Sequence, residues 1–160
     1  MRSQKRVVVV GHGMVGHRFV EALRARDGQN GWWVTVLAEE RDAAYDRVGL
    51  TCYTEHWDRS RLALPGNDYA GDDRVELILR DRVTRIDTAG KYVTTVLGRR
   101  IPYDALVLAT GSVAFVPPVP GHDLPRCHVY RTFDDLDGIR ADAERAGAGT
   151  AGVVIGGGLL

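Results

Sequence analysis

Apolar residues fall along this chain as short unbroken runs and one helical stripe. Residues 6–10 (RVVVV) are a β-branched run closed by glycine, which predicts a strand buried on both faces rather than an amphipathic one. From Met14 the apolar residues Val15, Phe19, Val20 and Leu23 recur at helical spacing. His17, Arg18, Glu21 and Arg24 fill the other face, and Gly28 and Gly31 stop the helix. Residues 33–38 (WVTVLA) predict a second strand. Strand, glycine turn, helix and strand within about 30 residues make a βαβ unit, so the expected fold class is α/β with a Rossmann-like parallel sheet.

Beyond the second strand, residues 39–73 have weak periodicity, several aspartates and Pro65, Gly66 and Gly71, and predict an irregular segment with one short helix. Within residues 74–103, strand-like stretches at 75–79, 83–86 and 92–97 are separated by short polar turns. They predict an antiparallel meander inserted into the parallel sheet. Residues 105–109 (ALVLA) read as another buried strand, followed by an extended crossing through Pro117, Pro118 and Pro120. A helix is expected over 134–146, with Thr132 or Asp134 as its N-cap. Residues 151–155 (AGVVI) run into Gly156, Gly157 and Gly158, a second strand-to-glycine turn. The expected division is therefore one nucleotide-binding domain over residues 1–150 and, over 151–160, the start of a second that is cut short.

Composition narrows the partners. The 21 basic residues balance the 21 acidic ones and the two signs are interspersed, so nothing marks a nucleic-acid or anionic-membrane surface. No stretch approaches the roughly 20 apolar residues that span a bilayer, and a cytoplasmic protein is expected. Cys52 and Cys127 stand far apart, in no disulfide framework or zinc spacing, and His56, His122 and His128 have no metal-ligand spacing either. Trp32, Trp33 and Trp57 read as packing residues, while Tyr45 or Tyr53 beside the ring of a bound ligand stays open.

The chemistry starts at Gly11-His12-Gly13-Met14-Val15-Gly16, a G-x-G-x-x-G that follows a strand and opens a helix. The first glycine permits the tight turn, the second lets a pyrophosphate approach the backbone, and the third lets helix and strand pack closely. Backbone N–H groups and the positive end of the helix dipole then hold phosphate without a lysine. A carboxylate at the end of the second strand is needed for the adenosine ribose hydroxyls; Glu39 or Glu40 is placed for it, and Glu39 directly follows the strand. His12 needs only to tolerate the turn, and His17 and Arg18 take a solvated or packing role. The turn itself does not choose between NAD and FAD, because both offer it an ADP moiety.

The tandem of two strand-to-glycine units with an A-T-G turn between them resembles the flavoproteins with two dinucleotide-binding domains. More narrowly, five ordered runs resemble the large subunit of assimilatory NAD(P)H nitrite reductase: GHGMVGHRF at 11–19, EERDAAYDRVGL at 39–50, ATGSVAFVPPVPG at 109–121, CHVYRT at 127–132 and GGGLL at 156–160. The resemblance covers essentially the whole chain. It implies FAD at the first glycine turn, NAD(P)H at the second in the full-length protein, and Ala109, Thr110 and Gly111 against the flavin's diphosphate side. It also implies Arg47 as a contact to the adenosine and diphosphate part of FAD, and Val83 as a main-chain contact to adenine. Relatives that reduce ferredoxins or rubredoxins commonly carry a lysine where this chain has Cys52, which implies a small side chain beside the flavin and points to the nitrite reductase branch.

On this reading hydride passes from NAD(P)H to FAD, and electrons go on to iron–sulfur and sirohaem centres in a C-terminal part outside these residues. No general acid or base of this chain is required. Two alternatives stay open: a stand-alone NAD(P)H-dependent flavoprotein reductase feeding a small ferredoxin- or rubredoxin-type redox partner, and a non-catalytic nucleotide-binding module.

Overall fold

The computed structural model describes residues 4–156. The chain divides into two compact units, one made of the chain up to Asp46 and of Ala63–Gly111, the other of Arg47–Leu62 and the chain from Ser112 onward. The first unit holds strand β1 (Lys5–Val10), helix α1 (Met14–Arg26) and strand β2 (Trp32–Leu37). The second holds helix α2 (Leu50–His56) and a 3-10 turn at Arg59–Leu62. In the first unit again come β3 (Val75–Ile78), β4 (Val83–Asp87), β5 (Tyr92–Thr95), β6 (Arg100–Pro102) and β7 (Ala105–Leu108), and helix α3 (Phe133–Ala146) lies in the second.

Four strands form a wholly parallel sheet in the order β3-β2-β1-β7. Such a sheet must be covered on both faces, which is why β1 reads as unbroken valine. Val7 and Val9 face a cluster with Val20, Val34 and Val36, against which Phe19 and Leu23 of α1 pack. Val8 and Val10 face the opposite cluster with Leu37, Val93 and Ile101, supplied in part by the three-stranded antiparallel sheet β4-β5-β6. One helix and one small sheet thus sandwich the parallel layer.

Three expectations are corrected. The stretch at 75–79 is not the first meander strand but a parallel partner of β2, in register Val34↔Val75 to Leu37↔Ile78. The meander's third strand is instead β6, paired with β5, after a turn in which Gly98 takes φ +79°. Four-residue strands carry too few alternations to reveal whether the neighbour runs parallel or antiparallel. Second, Val15 is 73% exposed and leaves the apolar stripe of α1, whose buried side is Gly16, His17 and Val20. Third, residues 151–155 form no strand and are exposed. A β-branched run becomes a strand only when a neighbour pairs with it, and it has none among the described residues. Gly157 and Gly158 of the expected second turn lie outside the described residues.

In the second unit, α3 begins at a full capping box. Thr132 is the N-cap and its hydroxyl accepts from the Asp135 N–H, while the Asp135 carboxylate accepts from the Thr132 N–H at 2.8 Å. Thr132→Ala leaves the Asp135 N–H without this partner and is expected to lower stability by about 1 kcal/mol. A urea midpoint unchanged by the substitution would show the cap to be dispensable.

Candidate functional site

The first unit builds the glycine turn at the C-terminal end of β1. This strand has β2 on one side and β7 on the other, so the sheet order reverses around it, and in open α/β sheets ligands bind at such a reversal, outside the carboxyl ends of the strands. The three glycines of the motif separate by what surrounds them. Gly11 sits at φ +105°, and a Cβ there would lie 2.2 Å from the Ala109 carbonyl oxygen. Gly16 on α1 is pressed against the turn, where a Cβ would lie 2.1 Å from the Gly11 carbonyl oxygen. Around Gly13 nothing of the protein lies within 4 Å of a would-be Cβ. Two glycines therefore serve the protein's own close packing, and the third leaves a cradle that a side chain would fill.

Gly13 is also the N-cap of α1. No side chain caps this end and no acidic residue stands in its first turn, so the positive pole of the helix dipole is uncompensated by protein. Met14 and Val15 beside it are exposed. Backbone bonds fix the turn from both neighbours: the Gly11 N–H donates to the Leu37 carbonyl at 2.8 Å, and the Ala109 N–H donates to the Val10 carbonyl at 2.8 Å. Thr110 is exposed and Gly111 turns the chain at φ +68°. Gly11, His12, Gly13, Met14, Val15, Gly16, Ala109, Thr110 and Gly111 thus come together.

At the end of β2 the two glutamates differ. Glu40 accepts from the Tyr45 hydroxyl at 2.8 Å, whereas Glu39 is exposed and meets Arg82, Nε to Oε1, at 3.5 Å. The segment leading to Val83 is drawn to this same end of the sheet. The Arg80 N–H donates to the Glu40 carbonyl at 3.1 Å and the Asp81 N–H to the Ala38 carbonyl at 2.9 Å. Asp81, which carries no motif signal, is fully buried; its Oδ1 accepts from the Leu97 N–H at 3.2 Å and Arg99 Nε stands 3.1 Å from Oδ2. It ties the start of β4 to the turn after β5.

Two histidines of the motif region are buried in a directed chain of hydrogen bonds. The Ala44 N–H donates to His12 Nδ1 at 3.1 Å, so the proton of the neutral ring sits on Nε2, which donates to the Tyr69 hydroxyl at 3.0 Å. His17 Nε2 faces the Pro65 carbonyl at 3.1 Å, an acceptor only, and therefore donates. His17 Nδ1 is left to accept from the Tyr69 hydroxyl at 3.1 Å. Burial first, and the adjacent His17 second, push the His12 imidazole down to about 4. Burial, with Glu21 adding to it, raises the Tyr69 phenol well above its ordinary range. Both ring nitrogens of His12 are thus committed to protein, and its side chain is only 7% exposed as part of the residue, leaving the main chain as its means of meeting a ligand. His17 takes the packing role rather than the solvated one.

Arg47 and Cys52 belong to the second unit. Arg47 donates from Nη1 to the Arg131 carbonyl at 2.5 Å, and Cys52 is an exposed free thiol on α2. Tyr53 is buried, its hydroxyl donating to Asp137 at 2.5 Å and its ring 4.7 Å from that of Phe133. Arg59 pairs with the same Asp137 and lies over Phe133 at 5.0 Å. This cluster is a small core, and Trp57, 5.2 Å from Tyr53, joins it as a packing residue. Among the described residues no group of His, Cys, Asp and Glu could hold a metal ion, and no helix is long and apolar enough to cross a membrane.

The family model for pyridine nucleotide-disulphide oxidoreductases matches residues 5–160. The chain is 49% identical over 154 residues to the nitrite reductase [NAD(P)H] large subunit of Klebsiella oxytoca, covering 96% of the chain and 16% of that protein. It is 37% identical over 158 residues to the nitrite reductase (NADH) large subunit of Escherichia coli, covering 99% of the chain and 18% of the relative. The chain therefore spans less than a fifth of the length of these nitrite reductases. Among solved structures, a ferredoxin reductase from Rhodopseudomonas palustris superposes with a TM-score of 0.76 at 28% identity, covering 86% of this chain and 34% of that one.

Proposed function

The chain belongs to the pyridine nucleotide-disulphide oxidoreductase family, and from that membership we propose that it is the FAD-binding part of an NAD(P)H-dependent nitrite reductase. The observation that carries the nucleotide site is the glycine turn, in which Gly11 and Gly16 are closed by backbone and Gly13 is left open to a ligand. The family implies FAD and NAD(P)H as cofactors, and the residues present fit the ADP half of FAD. The uncapped first turn of α1 would hold the diphosphate, the exposed Glu39 the ribose hydroxyls, and the main chain at Val83 the adenine. Ala109, Thr110 and Gly111 would border the diphosphate. Arg47 would add guanidinium donors to it, and Cys52 would set a small side chain beside the flavin ring. Glu39 rather than Glu40 is favoured for the ribose because Tyr45 already engages Glu40.

When bound, FAD accepts a hydride from NAD(P)H and can release electrons one at a time, which suits delivery to iron–sulfur and sirohaem centres elsewhere in the full-length protein. This chain's residues bind and orient; none is assigned to move a proton. Residues 1–150 are read as the FAD-binding domain and 151–160 as the beginning of the NAD(P)H-binding one, in a cytoplasmic enzyme of nitrate assimilation. The nitrite reductase branch is preferred over a ferredoxin- or rubredoxin-type reductase because identity is 49% to a nitrite reductase and 30% to a benzene dioxygenase ferredoxin reductase subunit of Pseudomonas putida.

The test is the visible spectrum of the chain after incubation with FAD and desalting, with NAD as a parallel ligand in a thermal shift. Retained flavin bands are the expected result. Stabilisation by NAD with no flavin retained would overturn the reading in favour of a nucleotide-binding module without flavin.

A further inference from the structure

We propose that His12 is a positioning residue for the phosphate-binding turn, acting as a neutral acceptor that pins the turn to the segment around Ala44 and Tyr69. This rests on the reading of the turn as an FAD site. His12 stands between the tight Gly11 and the open Gly13, so any swing of its main chain moves the cradle itself. The turn's backbone bonds to the strands beside it lie before His12, at the Gly11 N–H and the Val10 carbonyl, and on the following side the Gly13 carbonyl accepts from the His17 N–H of α1 at 2.9 Å. The His12 ring adds the side-chain anchor that ties the turn to the segment around Ala44 and Tyr69.

That anchor is held firmly. The Ala44 carbonyl accepts from the Leu64 N–H at 3.1 Å and from Asn67 Nδ2 at 2.6 Å, while the Ala44 N–H donates to His12 Nδ1. Tyr69, from the same stretch of chain, takes the Nε2 proton of His12 and passes its own to His17 on α1. With both rings neutral each link has one direction, because the chain starts at a backbone N–H and ends at a backbone carbonyl. A buried polar chain in which every member is satisfied specifies one arrangement. Here the arrangement joins the turn, the helix it opens and the loop beneath both. A ring whose two nitrogens are taken up by the Ala44 N–H and the Tyr69 hydroxyl makes His12 a support of the site rather than a cationic phosphate ligand.

Leucine and asparagine have nearly the same shape, but only asparagine offers an oxygen where His12 Nδ1 accepts. His12→Leu is expected to weaken FAD binding at least about tenfold, whereas His12→Asn, which restores the acceptor, stays within about threefold of the parent. Binding is measured by flavin titration of the 160-residue chain under conditions where circular dichroism finds each variant folded. Equal affinities for the leucine and asparagine variants overturn the proposal, as does a leucine variant that is merely less stable. A second readout does not depend on flavin. In the parent, the 15N spectrum of histidine-labelled protein at neutral pH should give His12 an unprotonated Nδ1 and a protonated Nε2, and the opposite tautomer overturns the proposal. Failure of the parent to bind FAD while this tautomer is present would locate the error in the cofactor reading and remove the proposal with it.

Discussion

Gly13→Ala is expected to fold almost as well as the parent, with stability within about 1 kcal/mol, while losing at least about tenfold in FAD affinity. Gly11→Ala is expected to lose the fold, at a cost of at least about 3 kcal/mol. The contrast follows from surroundings alone. At Gly13 the backbone is extended, with φ −92° and ψ −170°, a conformation alanine adopts freely, and no protein atom meets the new methyl. The methyl instead occupies the space through which a diphosphate would reach the backbone. At Gly11 the φ of +105° strains any L side chain and the methyl would stand 2.2 Å from a backbone oxygen that belongs to the strand end beside it. Gly16→Ala meets the Gly11 carbonyl at 2.1 Å and should resemble Gly11→Ala. Urea midpoints and flavin titrations on the three variants separate the two effects. A Gly13→Ala variant that binds FAD as tightly as the parent would mean that phosphate does not sit in this turn.

The part of this site that is legible in the sequence is the part where local and long-range requirements coincide. An unbroken valine run can only be a doubly covered strand, and the glycines after it announce both the turn and the close approach of α1. The place of Glu39 just past β2 is legible because a strand end is a fixed place relative to that turn. What is not legible depends on residues far apart in the chain. His12 finds its partners at Ala44 and Tyr69, and the histidines at positions 12 and 17 bear no spacing that names a phenol 57 and 52 residues away. Asp81 is hidden for the same reason: an aspartate in a polar turn looks solvated until Leu97 and Arg99 close over it. β3 shows the matching failure in the fold, since residues 38–74, α2 among them, separate it from its neighbour β2 and nothing within the strand declares that pairing. Arg47 and Cys52 enter through family resemblance, and nothing in their local spacing would have chosen them.

The buried His12 also makes acid the condition under which this fold should weaken first. Its folded value near 4 lies below the ordinary 6.5, so between these values the unfolded chain binds the proton more readily than the folded one. A group depressed in this way contributes stability fully above 6.5, and the contribution is lost as the pH falls towards 4. Between pH 7 and pH 5 the loss amounts to about 2 kcal/mol for one such group. Protonation would place a second N–H against the Ala44 N–H and put charge among Tyr69 and His17, with Glu21 at the edge of α1 too exposed to compensate. Two lowered carboxylates act below this window. Asp27, held down chiefly by the Gly31 N–H, and Asp72, held down chiefly by Arg24, lie below 3.8 and lose their contribution only at still lower pH. Urea unfolding of the parent and of His12→Asn at pH 7 and pH 5 isolates the effect, because asparagine keeps the Ala44 bond and has nothing to titrate. The parent should lose about 2 kcal/mol more than the variant over that interval. Equal losses would mean that His12 accepts its proton in the folded state without resistance, and that the hydrogen-bond directions assigned around it are wrong.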